Sequence, residues 1–381
     1  MSHFLNDEQA ALREAAAQFA RKEIEPIANQ IDRDEHTPPE LYRKIAEQGY
    51  FGLYIPEEYG GTGGDFLTTC MVLEEFAKAS PALAGVLAVE MILCPRIVIA
   101  AGTEDQKRRI LPLSASGERA MALSQTEPAG AFNTAYHQTR LTADGNNWRL
   151  NGSKLFCTQG EGKTYLVFCR TERGGEKGYG CVIVEREQEG FEVAPYEDKL
   201  GWRGTNTGGI SFTDVLITPE NIVGDLLTAN IEAIIPQAAQ PNTIAHAATS
   251  LGCTVGLFEK TLEYVKSRNL YGEPMSRLSP IKDRLASVWT KIEAMRSLIY
   301  IGARYVDEGR GDLLYGSMCK AWVCDTAFEC TSTLLQMWGG SGMMDSTGVN
   351  RYFRDARAKM IAEGSTEIHH DTIAREILGL A

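Results

Sequence analysis

Between Asp7 and Lys22 the apolar positions Ala11, Leu12, Ala15, Ala16 and Phe19 recur every three or four residues. That spacing predicts a helix, which Asn6 or Asp7 can cap. Pro38-Pro39 opens a second helix over Glu40–Gln48, closed by Gly49, and a Gly-rich turn from Pro56 to Gly64 follows. More helix is predicted over Leu67–Ala79, Leu83–Ala101 and Glu104–Leu113. Near Gly117 the pattern changes to short β-rich runs: Thr139–Leu141, Trp148–Leu150, Lys154–Cys157, Tyr165–Cys169, Cys181–Val184, Phe191–Val193 and Gly209–Phe212. Closely spaced strands without helices between them argue for a small antiparallel barrel or sandwich and against a βαβ nucleotide fold. From about Leu226 the helical period returns over Ala245–Arg268, Leu278–Asp307, Leu313–Trp338 and Thr366–Leu378, enough for a bundle. The third of these is apolar around much of its circumference, which predicts burial on several sides, including against another subunit. The expected organisation is a mainly α chain with a central β domain: helical over 1–120, β over 121–225 and a helical bundle over 226–381.

Composition narrows the function classes. The 381 residues are 44% apolar and 23% charged, with net charge −12 and a pI near 5.2. Such a field repels nucleic acid and anionic membrane surfaces. The nine cysteines are odd in number, scattered and without CxxC or Cys/His clusters, so free thiols in a reducing cytoplasm are expected, with no metal. The first residues hold no basic segment followed by an apolar one, and no uninterrupted apolar stretch approaches the roughly 20 residues of a membrane helix. A cytoplasmic location and no membrane association are expected. The Gly-rich turn lacks the Lys-Ser/Thr of a phosphate-binding loop.

Five stretches carry more specific information. They are Thr126-Glu127-Pro128-Ala129-Gly130-Ala131-Phe132-Asn133; Leu150-Asn151-Gly152-Ser153-Lys154-Leu155-Phe156-Cys157-Thr158; Lys199-Leu200-Gly201-Trp202-Arg203-Gly204-Thr205 with Phe212-Thr213-Asp214-Val215; Arg268-Asn269-Leu270-Tyr271-Gly272; and a last set of three blocks. Those blocks are Gln336-Met337-Trp338-Gly339-Gly340-Ser341-Gly342, Arg354-Asp355-Ala356-Arg357 and Glu363-Gly364-Ser365-Thr366-Glu367-Ile368. Together, and in order, they resemble the acyl-CoA dehydrogenase family over essentially the whole chain. The resemblance implies a helical domain, a β domain and a C-terminal four-helix bundle. It also implies FAD held between domains and subunits of a homotetramer, and an electron-transfer flavoprotein as acceptor. It places Thr126, Phe156 and Thr158 against the flavin and Arg268 and Tyr271 at the diphosphate of a neighbouring subunit's FAD. Gln336, Gly340, Ser365 and Glu367 are further cofactor contacts, and Phe132 and Gly364 line the substrate pocket.

The resemblance makes Glu363 the base that takes the α proton of an acyl thioester while the flavin accepts the β hydride. The residues suit this role on their own terms. Glu363 follows the apolar Met360-Ile361-Ala362 and precedes a turn into a helix start, and an apolar setting raises a carboxylate's pKa and strengthens it as a base. Glu90 stands in the otherwise apolar run Ala84–Leu93, a helix that floors the acyl pocket in relatives. With Arg96 it is a candidate contact for a polar or charged acyl group, an auxiliary acid–base, or simply a buried ion pair. His246, His369 and His370 read as packing residues. Phe132 and Asn133 stand where the family has Ser and Asp, and Thr243 lies near a common Arg position. Action on an acyl group held by a carrier protein therefore remains an alternative, as does enoyl-thioester reduction at the same site. A DNA-associated relative would need a basic surface, and the monooxygenase relatives lack the base.

Overall fold

The computed structural model describes residues 5–130, 133–158, 162–173, 176–224, 231–310 and 313–380. Seven helices build the first part: α1 (Asp7–Phe19), α2 (Ala28–Asp34), α3 (Pro39–Glu47), α4 (Phe66–Ala79), α5 (Pro81–Ala88), α6 (Cys94–Ala101) and α7 (Glu104–Ala115). Asn6 is the cap of α1, with Gln9 N–H donating to its side chain at 2.8 Å and Gln9 returning the bond at 3.1 Å. Helix α4 is buried almost all round because α1, α8 (Ile231–Ser267) and α9 (Ser279–Asp307) all pack on it. A π-helical turn, Val89–Leu93, joins α5 to α6. The resulting run Pro81–Ala101 is long and apolar enough to cross a membrane, counter to the sequence expectation, but 89% of its most apolar window is buried inside the protein. It is a core helix of this fold.

The central sheet has seven strands: β1 (Met121–Ser124), β2 (Arg140–Asp144), β3 (Asn147–Thr158), β4 (Thr164–Arg173), β5 (Glu176–Glu185), β6 (Phe191–Tyr196) and β7 (Thr207–Ile217). Its order is β1-β4-β2-β3-β7-β6, with β5 on the other side of β4. It is not purely antiparallel, since β1 and β2 both run parallel to β4. The two expected strands Trp148–Leu150 and Lys154–Cys157 are one strand, β3, whose register against β7 shifts between Leu150 and Gly152 and again between Lys154 and Cys157. The second irregularity turns Phe156, at φ 54°, out of the sheet and leaves it 65% exposed. Such a bulge re-aims a side chain at the cost of local pairing.

The third part is helical again. After α8 and α9 come α10 (Leu313–Met318), a π-helical turn at Cys319–Val323, α11 (Cys324–Met337), α12 (Asn350–Lys359) and α13 (Thr366–Leu378). Helix α8 begins at Ile231, before the Ala245 expected from periodicity; Pro236 and Pro241, which ordinarily disfavour helix, lie inside it and hide its start in the sequence. Helix α12 was not expected at all. Its buried face carries Arg351, Asp355 and Lys359 at four-residue intervals, so polar residues occupy the positions where an apolar stripe is sought.

Candidate active site

Glu363 lies in the turn between α12 and α13, at φ 59°, followed by Gly364 at φ 92°. A left-handed backbone is costly for a residue with a Cβ and persists only where the surroundings over-determine it. Here they do. The buried Lys320, on the Cys319–Val323 π turn, donates to the carbonyls of Gly364 at 3.1 Å and Met360 at 3.5 Å. His369 reaches the Glu363 carbonyl at 3.0 Å through Nε2 and the Ser317 hydroxyl at 3.2 Å through Nδ1. Burial lowers the His369 pKa to about 4, so the ring is neutral. Thr366 Oγ1 donates to Asp325 at 2.8 Å. These bonds hold the backbone of the turn that carries Glu363. Among the described residues no backbone carbonyl accepts the Glu363 N–H.

The Glu363 side chain is 24% exposed. Burial raises its pKa above the ordinary carboxylate value, opposed in part by the Asn242 amide and the Lys320 charge. His246, on α8, places Nε2 3.6 Å from Glu363 Oε1. Its own pKa is pushed well down by burial and by the ammonium groups of Lys359 and Lys320. The imidazole stacks on Trp202 at 5.6 Å between centroids, and Lys359 Nζ lies 4.8 Å from the same indole. Trp202 is held by its main-chain N–H, which donates to Asp355 at 2.7 Å. Lys359 donates to the Thr249 hydroxyl at 2.5 Å, and burial brings its pKa down to about 8. Around this group Trp202 Nε1, both amide atoms of Asn242 and both ring nitrogens of His246 are buried and close no well-formed hydrogen bond among the described residues, Asn242 and His246 only leaning on the Glu363 carboxylate. Buried polar atoms in that state mark a place where a further molecule completes the bonding.

The expected site residues fall into two groups. Phe156 and Thr158 stand on the outer part of β3, and Thr126 takes the Leu155 N–H on its carbonyl at 2.8 Å, tying the 125–130 loop to that strand. Beneath them the buried Lys154 donates to Glu127 at 2.7 Å and to the Gln125 carbonyl at 2.9 Å. Glu127 also takes the Thr139 N–H at 3.1 Å. Ser365 is the first residue before α13 and makes no capping bond, and Glu367 is exposed in the first turn. The Glu367 carboxylate lies on the Ser365 hydroxyl and its own N–H, so an anionic group would meet the remaining first-turn N–H groups beside Glu363. Arg268, Tyr271, Gln336 and Gly340 form the second group. They sit at the other end of α8, where Tyr264 stacks on Trp338 at 4.1 Å. Asn242 to Arg268 spans 26 residues of helix or its end, about 40 Å at 1.5 Å per residue. Tyr271 is 95% exposed there, and nothing lies within 4 Å of a Cβ built on Gly339 or Gly340.

Glu90 is 2% exposed and sits in the Val89–Leu93 π turn, while Arg96 lies over the Tyr54 ring at 5.4 Å. The Cys94 thiol is raised by burial and by the carboxyls of both Glu90 and Glu363, which puts Glu90 in the same neighbourhood as the turn. Phe132 lies outside the described residues. Asn242, His246, Trp202, Lys320 and Lys359 had no functional reading in the sequence. The one available signal was the four-residue spacing of Asn242 and His246, which puts both on one face once α8 is known to start before them.

The exposed aromatic on a bulged strand, the open glycines and the uncapped start of α13 suit FAD: a ring to pack on, backbone open to close approach, and N–H groups for anionic oxygens. Comparison with known proteins agrees. The chain matches the acyl-CoA dehydrogenase N-terminal domain over residues 6–118, the middle domain over 122–215 and the C-terminal domain over 234–378. It is 33% identical to the acryloyl-CoA reductase (NADH) of Anaerotignum propionicum, covering 99% of this chain and 96% of that one. It is 31% identical to the short-chain specific acyl-CoA dehydrogenase of Clostridium acetobutylicum, covering 99% and 100%. The butyryl-CoA dehydrogenase structure from Megasphaera elsdenii superposes with a TM-score of 0.94 at 30% identity, covering 98% of this chain and 99% of that one. The chain belongs to the acyl-CoA dehydrogenase family and is an FAD-binding oxidoreductase acting on CH–CH bonds.

Proposed function

We propose that Glu363 is the base that removes the α proton of an acyl-CoA thioester in this chain. The observation that carries the reading is a half-buried carboxylate, raised in pKa, on a turn that Lys320 and His369 hold in a left-handed conformation. When bound, FAD supplies the acceptor for the hydride leaving the β carbon. The protein supplies position and field. Thr126, Phe156 and Thr158 would hold the flavin ring, and Ser365 and Glu367 would be further cofactor contacts. Gly364 lets the chain approach without a Cβ, and the free Glu363 N–H donates to the thioester oxygen, which makes the α proton more acidic. Water leaving with substrate strengthens the base further. Run in reverse, the protonated Glu363 returns a proton to an enoyl thioester, the direction named for the Anaerotignum relative.

The second group of cofactor residues is some 40 Å of helix away from Glu363, further than one dinucleotide reaches. We place Arg268, Tyr271, Gln336 and Gly340 on the FAD of a neighbouring subunit in a homotetramer, with an electron-transfer flavoprotein as acceptor. Arg268→Ala is expected to lower the flavin bound per chain while the far site keeps its fold; full flavin retention would refute the shared site. All nine cysteines are free and buried, which suits a reducing, cytoplasmic setting. The test of the whole reading is anaerobic. CoA thioesters are expected to bleach the bound flavin in the parent protein and to leave it yellow in Glu363→Gln.

A further inference from the structure

We propose that Asn242, His246 and Trp202 form a polar acyl subsite beside Glu363, built for a short thioester whose acyl group carries a neutral oxygen function, a hydroxyl or a keto carbonyl. The inference rests on the reading of Glu363 as the base, because that reading fixes where the acyl carbons lie. Proton transfer requires the substrate's α carbon within about 3.5 Å of the Glu363 carboxylate. His246 Nε2 is 3.6 Å from that carboxylate, and Asn242 lies one turn earlier on the same face of α8. A substituent a bond or two beyond the α carbon therefore comes within hydrogen-bonding reach of both.

The side chains there do not suit a hydrocarbon. Asn242 and His246 are 0% and 1% exposed; both lean on the Glu363 carboxylate without closing a well-formed hydrogen bond to it, and Trp202 Nε1 has no partner among the described residues. An aliphatic chain would leave all of them desolvated and unbonded. Donors outnumber acceptors in the set. The neutral imidazole and the indole each bring one N–H and the amide brings two hydrogens, against one imidazole lone pair and one amide oxygen. The matching ligand atom is an accepting oxygen. A carboxylate fits less well, since Glu90 and Glu363 both bear on this space and the nearby ammonium groups are already engaged. Lys359 is bound to Thr249, and Lys320 is bound to the carbonyls of Gly364 and Met360.

The test compares 4-oxopentanoyl-CoA, its shape-matched hydrocarbon 4-methylpentanoyl-CoA, and the anionic glutaryl-CoA. Binding is measured by calorimetry on Glu363→Gln holoenzyme, and flavin reduction on the parent. The oxo ligand is expected to bind on the order of 100-fold more tightly than the hydrocarbon. The preference is expected to fall to near parity when His246→Val is added and to survive in part with His246→Gln. Equal or stronger binding of the hydrocarbon, a preference untouched by His246→Val, or glutaryl-CoA as the tightest ligand would each overturn the subsite. Failure of the base reading is a separate result: flavin reduction that survives Glu363→Gln.

Discussion

Two glutamates, the buried Glu74 and the half-buried Glu363, divide the polar interior of this protein into a closed cluster and an open one. Glu74 is fully buried on α4. Its Oε1 takes bonds from Arg296 at 2.9 and 3.1 Å and from Arg13 at 3.3 Å, and its Oε2 takes the Tyr300 hydroxyl at 3.1 Å. Arg13 and Arg296 each bond a second carboxylate, Glu75 and Glu293, at 2.7 Å. Burial is outweighed there, and the Glu74 pKa is lowered. Around Glu363 the cations are turned away, the nearest imidazole is neutral, and several polar atoms have no partner. Its pKa is raised. The first cluster joins α1, α4 and α9 and is finished when the chain folds. The second is finished only by something that enters.

The sharpest way to break this contrast is to remove the two carboxylates in turn. Glu363→Gln is expected to slow flavin reduction by on the order of 10⁴-fold, with melting temperature and flavin content held. Glu74→Gln is expected to do the reverse. It leaves Arg296 buried without its main partner and costs about 3–5 kcal/mol in chemical denaturation, with turnover per bound flavin preserved in the folded fraction. A Glu74→Gln protein as stable as its parent would mean that the closed cluster is not structural.

Lys359 comes next in size. Its folded pKa of about 8 lies below the ordinary lysine value of 10.5, so between those pH values the unfolded chain holds a proton that the folded chain has released. Stability from this group therefore rises with pH from about 8 to 10.5, by up to about 3 kcal/mol. Lys359→Met is expected to flatten that rise in denaturation curves and to stabilise the protein at neutral pH. An unchanged slope would show that the buried ammonium is compensated. The smallest effect is on the pH profile. Because Glu363 must be ionised to act, kcat/KM is expected to rise with pH through a value above the ordinary carboxylate range. His246→Val, which removes a polar neighbour of the carboxylate, is expected to move that limb further up. A limb at an ordinary carboxylate pKa would show that water stays beside Glu363.

Much of this was legible before the structure. The α–β–α order and most helix ends follow from periodicity, and the blocks around 336–342, 354–357 and 363–368 single out Glu363 as the candidate base. What was hidden had physical reasons. The two expected strands Trp148–Leu150 and Lys154–Cys157 leave Asn151-Gly152 between them, yet it sits within a single bulged strand, where a Cβ on Gly152 would meet Thr139 Cα at 2.6 Å. The parallel pairing of β1 with β4 joins segments some forty residues apart, about which local alternation says nothing. Helix α12 buries Arg351, Asp355 and Lys359 beside Tyr352 and Ala356, so its inner face shows no apolar stripe. Trp202, His246 and Lys359 come from a loop after β6, from α8 and from the end of α12, and only packing brings them to one carboxylate.

The most direct test of the open carboxylate is proton exchange in heavy water, followed by NMR at the α carbon of a bound CoA thioester under anaerobic conditions. This reads the proton step by itself, apart from electron transfer. Exchange is expected in the parent and in Glu90→Gln, and is expected to vanish in Glu363→Gln with flavin still bound. Exchange that persists in Glu363→Gln, or that is lost only in Glu90→Gln, would place the base elsewhere and contradict the account.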